Sequence, residues 1–362
     1  MNIGVCFGCY SPMHQGHLDL IMKAKKKNDF THVFVCGYDE DPRGKLLSLK
    51  KRYNIIRNFL KEETITVHKL NDSELGIDQS MSEDNWIIWL SAIEKKVNAS
   101  ENDVITFYVA ESDYVVKIKN ALSKGVFKNV KLVKVDMADR TQNPISGTMC
   151  RTDPIRNWTK ITQPFRAYYS HNILVAGTAS EGKTTLVRDI GKYFNIPFSY
   201  EKGRDICKLK NDTEFNFKDF LYNITEQNRY NEELICSPQN PGVFISDTDN
   251  MVTLMYALAY KDREDFALND EEYNVLYNVA KQYAPTIKWN KIFLIKPKQK
   301  PIVDDRERYM PDSDYSIRLE FYENLKKLYT EFGYEFEELD GDYYENFLAV
   351  KDYIHSIGFQ ER

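Results

Sequence analysis

The chain has 362 residues with 42% hydrophobic and 13% aromatic side chains, and its formal net charge at pH 7 is −5. This length favours two domains over one, and this apolar content excludes an intrinsically disordered chain. Acidic and basic residues are interspersed without a basic stripe or arm, so nucleic acid is not expected to be a partner.

The cysteine pattern and the N-terminal sequence indicate a cytoplasmic protein. Of the six cysteines, Cys6 and Cys9 stand at CxxC spacing within the first strand and turn, but no further His or Cys follows them at the spacing of a zinc site, which predicts reduced thiols rather than disulfides or a zinc site. The chain runs straight into an apolar strand with no signal sequence, and it has no apolar stretch of about 18 residues or more. We therefore expect neither export nor a membrane partner.

Residues 1–153 show the alternation of a parallel α/β domain. Short β-rich runs alternate with amphipathic helical segments, and nearly continuous apolar runs are typical of strands buried on both faces. The predicted strands are Ile3–Gly8, His32–Gly37, Thr64–Leu70, Val104–Ala110 and Val130–Val135. With right-handed crossovers these strands form a doubly wound sheet, whose ligands collect at the carboxyl ends of the strands.

A second α/β domain is predicted for residues 171–362. Residues 154–170 contain two prolines and follow neither a strand nor a helix period, so they are interpreted as a linker. The alternation then restarts with predicted strands at Asn172–Ala176, Pro197–Tyr200, Val243–Ser246, Lys291–Ile295 and Tyr334–Leu339. The predicted fold class is therefore α/β, with two doubly wound parallel-sheet domains.

The first chemical motif, His14-Gln15-Gly16-His17, directly follows the first predicted strand. Histidines three residues apart at a helix start lie on one side of the helix, and Gly16 lets the backbone approach a ligand closely. Because the first N–H groups of a helix attract anions, the motif suits the α-phosphate of a nucleotide under attack. A chance pair of histidines and a zinc site are the alternatives, but no third zinc ligand is evident.

A second cluster follows Pro144, in the stretch Ile145-Ser-Gly-Thr-Met-Cys-Arg151. Ser146 is a candidate N-cap, with Thr148 and Arg151 in the first helical turn. Hydroxyl groups and a guanidinium at a helix start suit the β- and γ-phosphates of a nucleotide. Taken alone, ordinary capping with a surface arginine is the commoner explanation.

The stretch from Gly177 to Thr184 fits the P-loop pattern GxxxxGKT between a predicted strand and a predicted helix, the context in which such a match is specific. Backbone N–H groups are expected to surround the β-phosphate, Lys183 to bridge the β- and γ-phosphates, and Thr184 to bind Mg²⁺. The predicted ATP-binding residues of this loop are Gly177, Thr178, Ser180, Glu181, Gly182, Lys183, Thr184 and Thr185.

Two aspartates follow the predicted strand Val243–Ser246. A carboxylate at a strand end beside a P-loop holds Mg²⁺ or takes a proton from the acceptor hydroxyl, and Asp247 is assigned to these catalytic and metal-binding roles. Asp249 either binds the acceptor or caps the next helix, and the two explanations are evenly weighted.

Two further segments are assigned to the same reaction. Tyr200, Glu201 and Arg204 follow the second strand of this domain, where acceptor-binding residues fall, although a structural ion pair explains them equally well. Arg306 and Arg308 lie in a charged loop that is interpreted as a lid whose arginines stabilise the transferred phosphate. An ordinary surface loop is the alternative.

The two N-terminal clusters resemble the HxGH and ISxTxxR motifs of the nucleotidyltransferase superfamily. The resemblance implies catalytic roles for His14 and His17. Arg140 is included because Asp139-Arg140 is similar to the family's acid–arginine pair. The implied ATP site comprises Gly8, His14, His17, Arg140, Ser146, Thr148 and Arg151.

The order of the two domains resembles the NadR-type family of bifunctional nicotinamide-nucleotide adenylyltransferases and ribosylnicotinamide kinases. The resemblance implies that the C-terminal domain phosphorylates nicotinamide riboside with ATP, and that the N-terminal domain adenylylates the resulting NMN with a second ATP to give NAD and pyrophosphate. Both steps require Mg²⁺. The implied contacts to the nicotinamide substrate are Trp86, Tyr200, Glu201, Arg204, Asp247 and Asp249.

Trp86 is chosen because a pyridinium ring needs an aromatic face, although aromatic residues at helical spacing more often belong to the core. The sequence also departs from the family's pattern. The chain begins at the adenylyltransferase strand, so we expect no helix-turn-helix repressor module. The predicted lid reads Asp304-Asp305-Arg306, where a glycine is expected in third place.

Two other functions stay open. An adenylyltransferase–kinase pair acting on another nucleoside or vitamin would carry the same motifs, because HxGH does not name the acceptor. A nucleotide-sensing regulator is disfavoured, since a sensor does not need the full catalytic set. Family members often assemble, which leaves a homo-oligomer open.

Overall fold

The computed structural model describes residues 1–38, 41, 43, 46–77, 82–139, 144–211, 214–261, 268–299 and 314–361. The chain divides into two compact units, Met1–Tyr169 (unit 1) and Ser170–Arg362 (unit 2). Over the described ranges, every helix is either too short or too polar to cross a membrane.

Unit 1 contains a sheet of five parallel strands in the order β3-β2-β1-β4-β5. The strands are β1 (Asn2–Gly8), β2 (Phe30–Gly37), β3 (Ile65–Asn71), β4 (Val104–Val109) and β5 (Leu132–Met137). The helices are α1 (Gln15–Lys27), α2 (Leu49–Phe59), α3 (Glu83–Val97), α4 (Ser112–Ser123), α5 (Gly147–Thr152) and α6 (Gln163–Arg166). The direction of winding reverses between β1 and β4, where an open α/β sheet forms its ligand crevice.

The side chains of β1 alternate between two apolar cores. Val5 packs in the core that contains Leu90 of α3, whereas Cys6 packs in the core that contains Ile21 of α1. Because helices cover both faces of the sheet, the strand reads as a continuous apolar run rather than an alternating one. The doubly wound class predicted for this half is confirmed.

The segment predicted as a linker, 154–170, is instead packed into unit 1 up to Tyr169. Trp158, Ile161 and Phe165 are buried in the same core as α1 and α2. Thr162 donates to Met13 O through its backbone N–H at 3.1 Å and its Oγ1 at 2.9 Å. The sequence pattern hides this packing because the segment folds only into short helical turns, which are too brief to show a period.

Unit 2 contains a second five-stranded parallel sheet, in the order β10-β9-β6-β8-β7. The strands are β6 (His171–Gly177), β7 (Phe198–Ser199), β8 (Val243–Ser246), β9 (Lys291–Ile295) and β10 (Glu337–Leu339). The helices are α7 (Lys183–Phe194), α8 (Gly203–Lys210), α9 (Phe217–Cys236), α10 (Asn250–Tyr260), α11 (Asp270–Tyr283), α12 (Tyr315–Glu331) and α13 (Tyr343–Ser356). The α/β class of the second half is confirmed, and its central strand leads into the P-loop.

Candidate functional site

The His14-Gln15-Gly16-His17 motif lies where β1 passes into α1. His14 is the N-cap residue of α1, and its backbone N–H donates to His17 Nδ1 at 3.4 Å. The two imidazoles are stacked, with ring centroids 3.7 Å apart and planes inclined by 20°. Both rings therefore stand at the N-terminus of a 13-residue helix, whose partial positive charge and N–H groups favour an anion.

Arg151 connects the second cluster of unit 1 to the loop before His14. Its Nη1 donates to Ser11 O at 2.5 Å and its Nη2 donates to Thr148 Oγ1 at 3.1 Å. A Cβ placed on Gly16 would lie 3.4 Å from Ile145 Cγ2. The fold thus brings the segment of Arg151 to the loop before the His14–His17 motif, although Ser11 and Arg151 are 140 positions apart.

Ser146 has the capping role that its position predicts. Its Oγ accepts the backbone N–H of Met149 at 3.2 Å, at the start of α5. The capping explanation therefore holds for Ser146, whereas the guanidinium of Arg151 is held against the β1–α1 loop. A contact of Ser146, Thr148 and Arg151 with nucleotide phosphates stays a prediction.

Trp86 lies in an aromatic cluster of the core of unit 1. Its ring centroid is 5.3 Å from those of Trp89 and Tyr114 and 6.3 Å from that of Phe7, and Lys117 Nζ lies 5.1 Å from it. Only 7% of Trp86 is exposed, while its Nε1 has no hydrogen-bond partner among the described residues. This burial favours the core explanation, so stacking on a nicotinamide ring stays a prediction that requires the ring to be uncovered.

Three arginines predicted to contact ATP, namely Arg140, Arg306 and Arg308, lie outside the described residues. Gly8 ends β1, and a Cβ at this position would lie 3.3 Å from the ring of Tyr10. The position therefore leaves little room for a side chain, and its contact with ATP stays a prediction.

The backbone of the phosphate loop of unit 2, 177–184, requires glycine at its first position. Gly177 has φ 144°, and a Cβ there would lie 2.7 Å from Ile295 O. Ser180 and Gly182 also have positive φ, at 63° and 82°. The loop therefore folds back above the end of β6 in the way that aims successive N–H groups at an anion.

Lys183 is held inside the phosphate loop. Its Nζ donates to Thr178 O at 2.7 Å, and only 8% of the residue is exposed. A buried ammonium beside a ring of N–H groups stabilises negative charge more strongly than an exposed one. Thr185, in contrast, is exposed at the start of α7.

Thr184 and Asp247 form a pair at the carboxyl ends of β6 and β8. The Thr184 hydroxyl donates to Asp247 Oδ2 at 2.6 Å, and Asp247 is 1% exposed. The pKa of Asp247 is raised to about 6, mainly by burial; Glu201 adds to the rise, whereas Thr184 and Lys183 oppose it. Asp247 Oδ1 is buried with no hydrogen-bond partner in the described chain. Two oxygen donors with an unused carboxylate oxygen match the ligands that Mg²⁺ prefers.

Glu201 and Arg204 lie near Asp247, on the loop and helix that follow β7. They form an ion pair with a separation of 4.0 Å, and each side chain is 26% exposed. Both contribute to the electrostatic environment of the Asp247 carboxyl group. Tyr200 is more exposed, and Lys202 Nζ lies 4.7 Å from the centroid of its ring. The structure brings these residues together, and their contact with an acceptor stays a prediction.

Asp249 caps α10 rather than pointing away from it. Its Oδ1 accepts the backbone N–H groups of Met251 and Val252 at 3.0 and 3.1 Å and the hydroxyl of Tyr329 at 2.8 Å. It is 5% exposed, and burial raises its pKa to about 6. The sequence left two explanations open for Asp249, and the described contacts support capping.

Helix α9 carries polar residues that the sequence analysis did not single out. Asn223, Gln227 and Asn231 are buried and spaced four residues apart, so they share one face of the helix. Gln227 Oε1 accepts the Lys202 backbone N–H at 2.8 Å, and a Cβ on Gly203 would lie 3.4 Å from Asn223 Nδ2 and 3.6 Å from Glu201 Oε1. A buried helix face is normally apolar, so three amides at this spacing are a signal in the sequence that could have pointed to this face.

Two family models match the chain, one over each half. A model described as cytidylyltransferase-like matches residues 5–153, and a model described as an AAA domain matches residues 172–346. The trifunctional NAD biosynthesis/regulator protein NadR of Salmonella typhimurium is 28% identical over 215 residues, and that of Escherichia coli is 27% identical over 215 residues. Each match covers 56% of this chain and 49% of the relative, so the chain spans about half the length of these curated relatives.

Solved structures extend the similarity to the whole chain. A crystal structure of NadR protein in complex with NAD and AMP-PNP is 29% identical, with a TM-score of 0.84, and covers 100% of this chain and 97% of its own. A crystal structure of NadR protein in complex with NR is 30% identical, with the same TM-score of 0.84 and the same coverage. This similarity confirms the resemblance suggested by the motifs, and the chain belongs to the NadR family.

Proposed function

We propose that the protein is a bifunctional enzyme of NAD salvage. Unit 2 phosphorylates nicotinamide riboside with ATP to give NMN and ADP, and unit 1 transfers the adenylyl group of a second ATP to NMN to give NAD and pyrophosphate. The observation that carries the proposal is the presence of two differently built anion sites, the stacked imidazoles beside Arg151 and the phosphate loop beside Asp247. NadR relatives crystallised with NAD, AMP-PNP and NR support the choice of substrates.

In unit 2, the 5′-hydroxyl oxygen of the riboside attacks the γ-phosphorus and releases its proton to water, while the bond between that phosphorus and the β,γ-bridging oxygen breaks and ADP leaves with the electron pair. The loop N–H groups and Lys183 stabilise the charge that develops on the phosphate oxygens. Thr184 and Asp247 would hold Mg²⁺, which supplies charge neutralisation for the polyphosphate when bound. The hydrogen bond from Thr184 favours this role for Asp247 over that of a free base.

In unit 1, a phosphate oxygen of NMN attacks the α-phosphorus of ATP. The bond between that phosphorus and the α,β-bridging oxygen breaks, and pyrophosphate leaves with the electron pair of that bond. The imidazoles of His14 and His17 would bind the α-phosphate at the N-terminus of α1. Thr148 and Arg151 would bind the leaving phosphates from the adjacent segment. No covalent enzyme intermediate is needed, because catalysis is positional and electrostatic.

The acceptor site of the kinase reaction is assigned to the region between β7, β8 and α9. Glu201 and Arg204 offer charged groups that can bind ribose hydroxyls, and Asn223 Oδ1 is a buried acceptor without a partner among described residues. Tyr200 is the aromatic side chain of this group with an exposed ring. None of the six cysteines forms a disulfide, which fits our proposal that the reactions take place in the cytoplasm.

A product assay with separate substrates tests the proposal. The protein is incubated with Mg²⁺ and ATP plus either nicotinamide riboside, NMN or both in turn, and the products are separated by chromatography. We expect NMN and ADP from the riboside, NAD and pyrophosphate from NMN, and NAD from the riboside with excess ATP. Nucleotide binding without any product supports a sensor instead, and faster turnover of another nucleoside supports the alternative enzyme pair.

A further inference from the structure

Glu181 directly precedes Gly182 and Lys183 in the phosphate loop, and its carboxylate lies inside the protein. The Glu181 side chain is 1% exposed and that of its partner Arg318, on α12, is 4% exposed, with Oε1 and Nη1 2.5 Å apart. Among the ion pairs of the described residues, no other has both side chains below 10% exposure. Charges are rarely buried in this way unless they are paired and hydrogen-bonded.

The pair also binds the backbone that follows β9. Lys298 N–H donates to Glu181 Oε1 at 3.4 Å, and Lys298 O accepts from Arg318 Nη2 at 2.9 Å. Three segments that are distant in the sequence therefore meet at one carboxylate: the phosphate loop, the residues after β9 and the first turn of α12. Because the loop position of Glu181 is adjacent to the groups that would bind phosphate, a shift of this carboxylate moves the anion site itself.

The charge of Glu181 also opposes the ligand that the loop is built to bind. A carboxylate in the phosphate loop repels the polyphosphate of ATP, and low exposure weakens the screening of that repulsion by water. The guanidinium of Arg318 offsets this charge through a hydrogen bond to the same oxygen. Without Arg318, the loop would keep the buried negative charge of Glu181 but lose the guanidinium that offsets it.

We propose that Arg318 is a positioning residue for ATP in unit 2: it neutralises Glu181 and fixes the phosphate loop to α12, while acting on the nucleotide only through that loop. The inference rests on the proposed kinase function of unit 2. It assigns Glu181 a role that differs from direct ATP binding by its side chain, because the carboxylate is committed to Arg318 and Lys298.

The decisive experiment compares Arg318→Gln, Glu181→Gln and the double variant in riboside phosphorylation. Arg318→Gln removes the positive charge that offsets Glu181 and is expected to raise KM for ATP about tenfold or more, with KM for the riboside changed by less than about twofold. Glu181→Gln removes the repulsive charge and is expected to lower KM for ATP. The double variant should return KM for ATP to within about threefold of the parent protein, since neither charge remains.

A structural role alone predicts a different pattern. In that case both single variants lower the melting temperature, KM for ATP rises equally in both or in neither, and the double variant shows no recovery. That pattern overturns the proposal. If Arg318→Gln does not fold, Arg318→Lys keeps the charge but loses the planar fork, and a smaller rise in KM for ATP is expected. An unchanged KM for ATP in a folded Arg318→Lys variant with lowered stability also overturns the proposal.

Two controls keep the outcome specific. Arg229→Gln removes an exposed arginine that pairs with Glu226 and Glu233 on α9, and it should leave KM for ATP unchanged. AMP-PNP binding is titrated in the presence of Mg²⁺, and the same titration of Lys183→Ala is subtracted. The difference reports nucleotide binding in unit 2 without turnover. Weakened binding in Arg318→Gln supports the inference even if the riboside is not the acceptor, so failure of the proposed function is distinguishable from failure of this one.

Discussion

The two units place their sites at the same point of the sheet but build them by different means. In each unit the first strand is central, ends in a glycine and leads into a helix, as β1 ends at Gly8 before α1 and β6 ends at Gly177 before α7. Unit 1 presents side chains there, the imidazoles of His14 and His17. Unit 2 presents a loop of backbone N–H groups curled by residues with positive φ.

This difference decides how local each site is in the sequence. The phosphate loop of unit 2 takes its phosphate-binding groups from eight consecutive residues, 177–184, while Asp247 and Arg318 support it from elsewhere in the chain. The site of unit 1 depends on tertiary contacts, because Arg151 and Thr162 hold the β1–α1 loop from far along the chain. A loop made of backbone is therefore recognised from its pattern, whereas a site made of distant side chains is recognised from motifs taken together.

The largest effects should come from separating the two sites. Lys183→Ala is expected to reduce riboside phosphorylation by about 100-fold or more, because it removes the ammonium that stabilises the transferred phosphate. His14→Ala is expected to reduce NAD formation from NMN by a similar factor of about 100 or more. The rates of both reactions are measured for each variant, and the unaffected reaction serves as the folding control. Loss of both activities from either single change, in a folded protein, would show that the sites are not independent.

The particular residues show what the sequence could and could not reveal. The P-loop is recognisable because Gly177 and Gly182 occupy backbone conformations that favour glycine. Asp249 was ambiguous because its third partner, the Tyr329 hydroxyl, lies 80 positions away, and no local pattern predicts such a contact. The ion pair of Glu181 was missed for the same reason, since Arg318 is 137 positions distant.

The segment 154–169 shows a second limit of sequence patterns. Its buried side chains, among them Trp158 and Phe165, come from turns of three or four residues, and a helical period needs a longer run. Prolines and the lack of a period therefore suggested a linker where the fold has a packed extension. Tertiary packing, rather than local propensity, determines the structure of this segment.

The variant Asp247→Asn sharpens the comparison, because in unit 2 it should lower activity and raise stability. We expect riboside phosphorylation to fall by about 100-fold, because the amide is a poorer ligand for Mg²⁺. The folded pKa of Asp247 is about 6 and its ordinary value is 3.8, so the folded protein binds more protons between these pH values. The carboxylate therefore destabilises the fold increasingly as pH rises through this window, by on the order of 2–3 kcal/mol above pH 6.

The free energy of unfolding of Asp247→Asn and the parent protein is measured between pH 4 and pH 8 to check this expectation. The asparagine variant should gain stability relative to the parent as pH rises, because it removes the charge that burial disfavours. Asp352→Asn, at an exposed position of α13, is the matched control and should show no such trend. A stability difference that stays constant with pH would contradict the shifted pKa of Asp247.

The smallest expected effect tests the tertiary contact that distinguishes unit 1. Thr162→Val removes the hydrogen bond from Oγ1 to Met13 O while keeping the shape of the side chain, and it should cost about 1 kcal/mol of unfolding free energy. Since Met13 precedes His14, the looser loop should also slow adenylyl transfer about threefold to tenfold, in line with the loss of orientation in a positional mechanism. Riboside phosphorylation should not change. Thr330→Val, which removes an exposed hydroxyl that bonds to Lys326 O within α12, is the matched control. A loss of stability with unchanged adenylyl transfer would mean that the 154–169 segment supports the fold of unit 1 without helping to place its imidazoles.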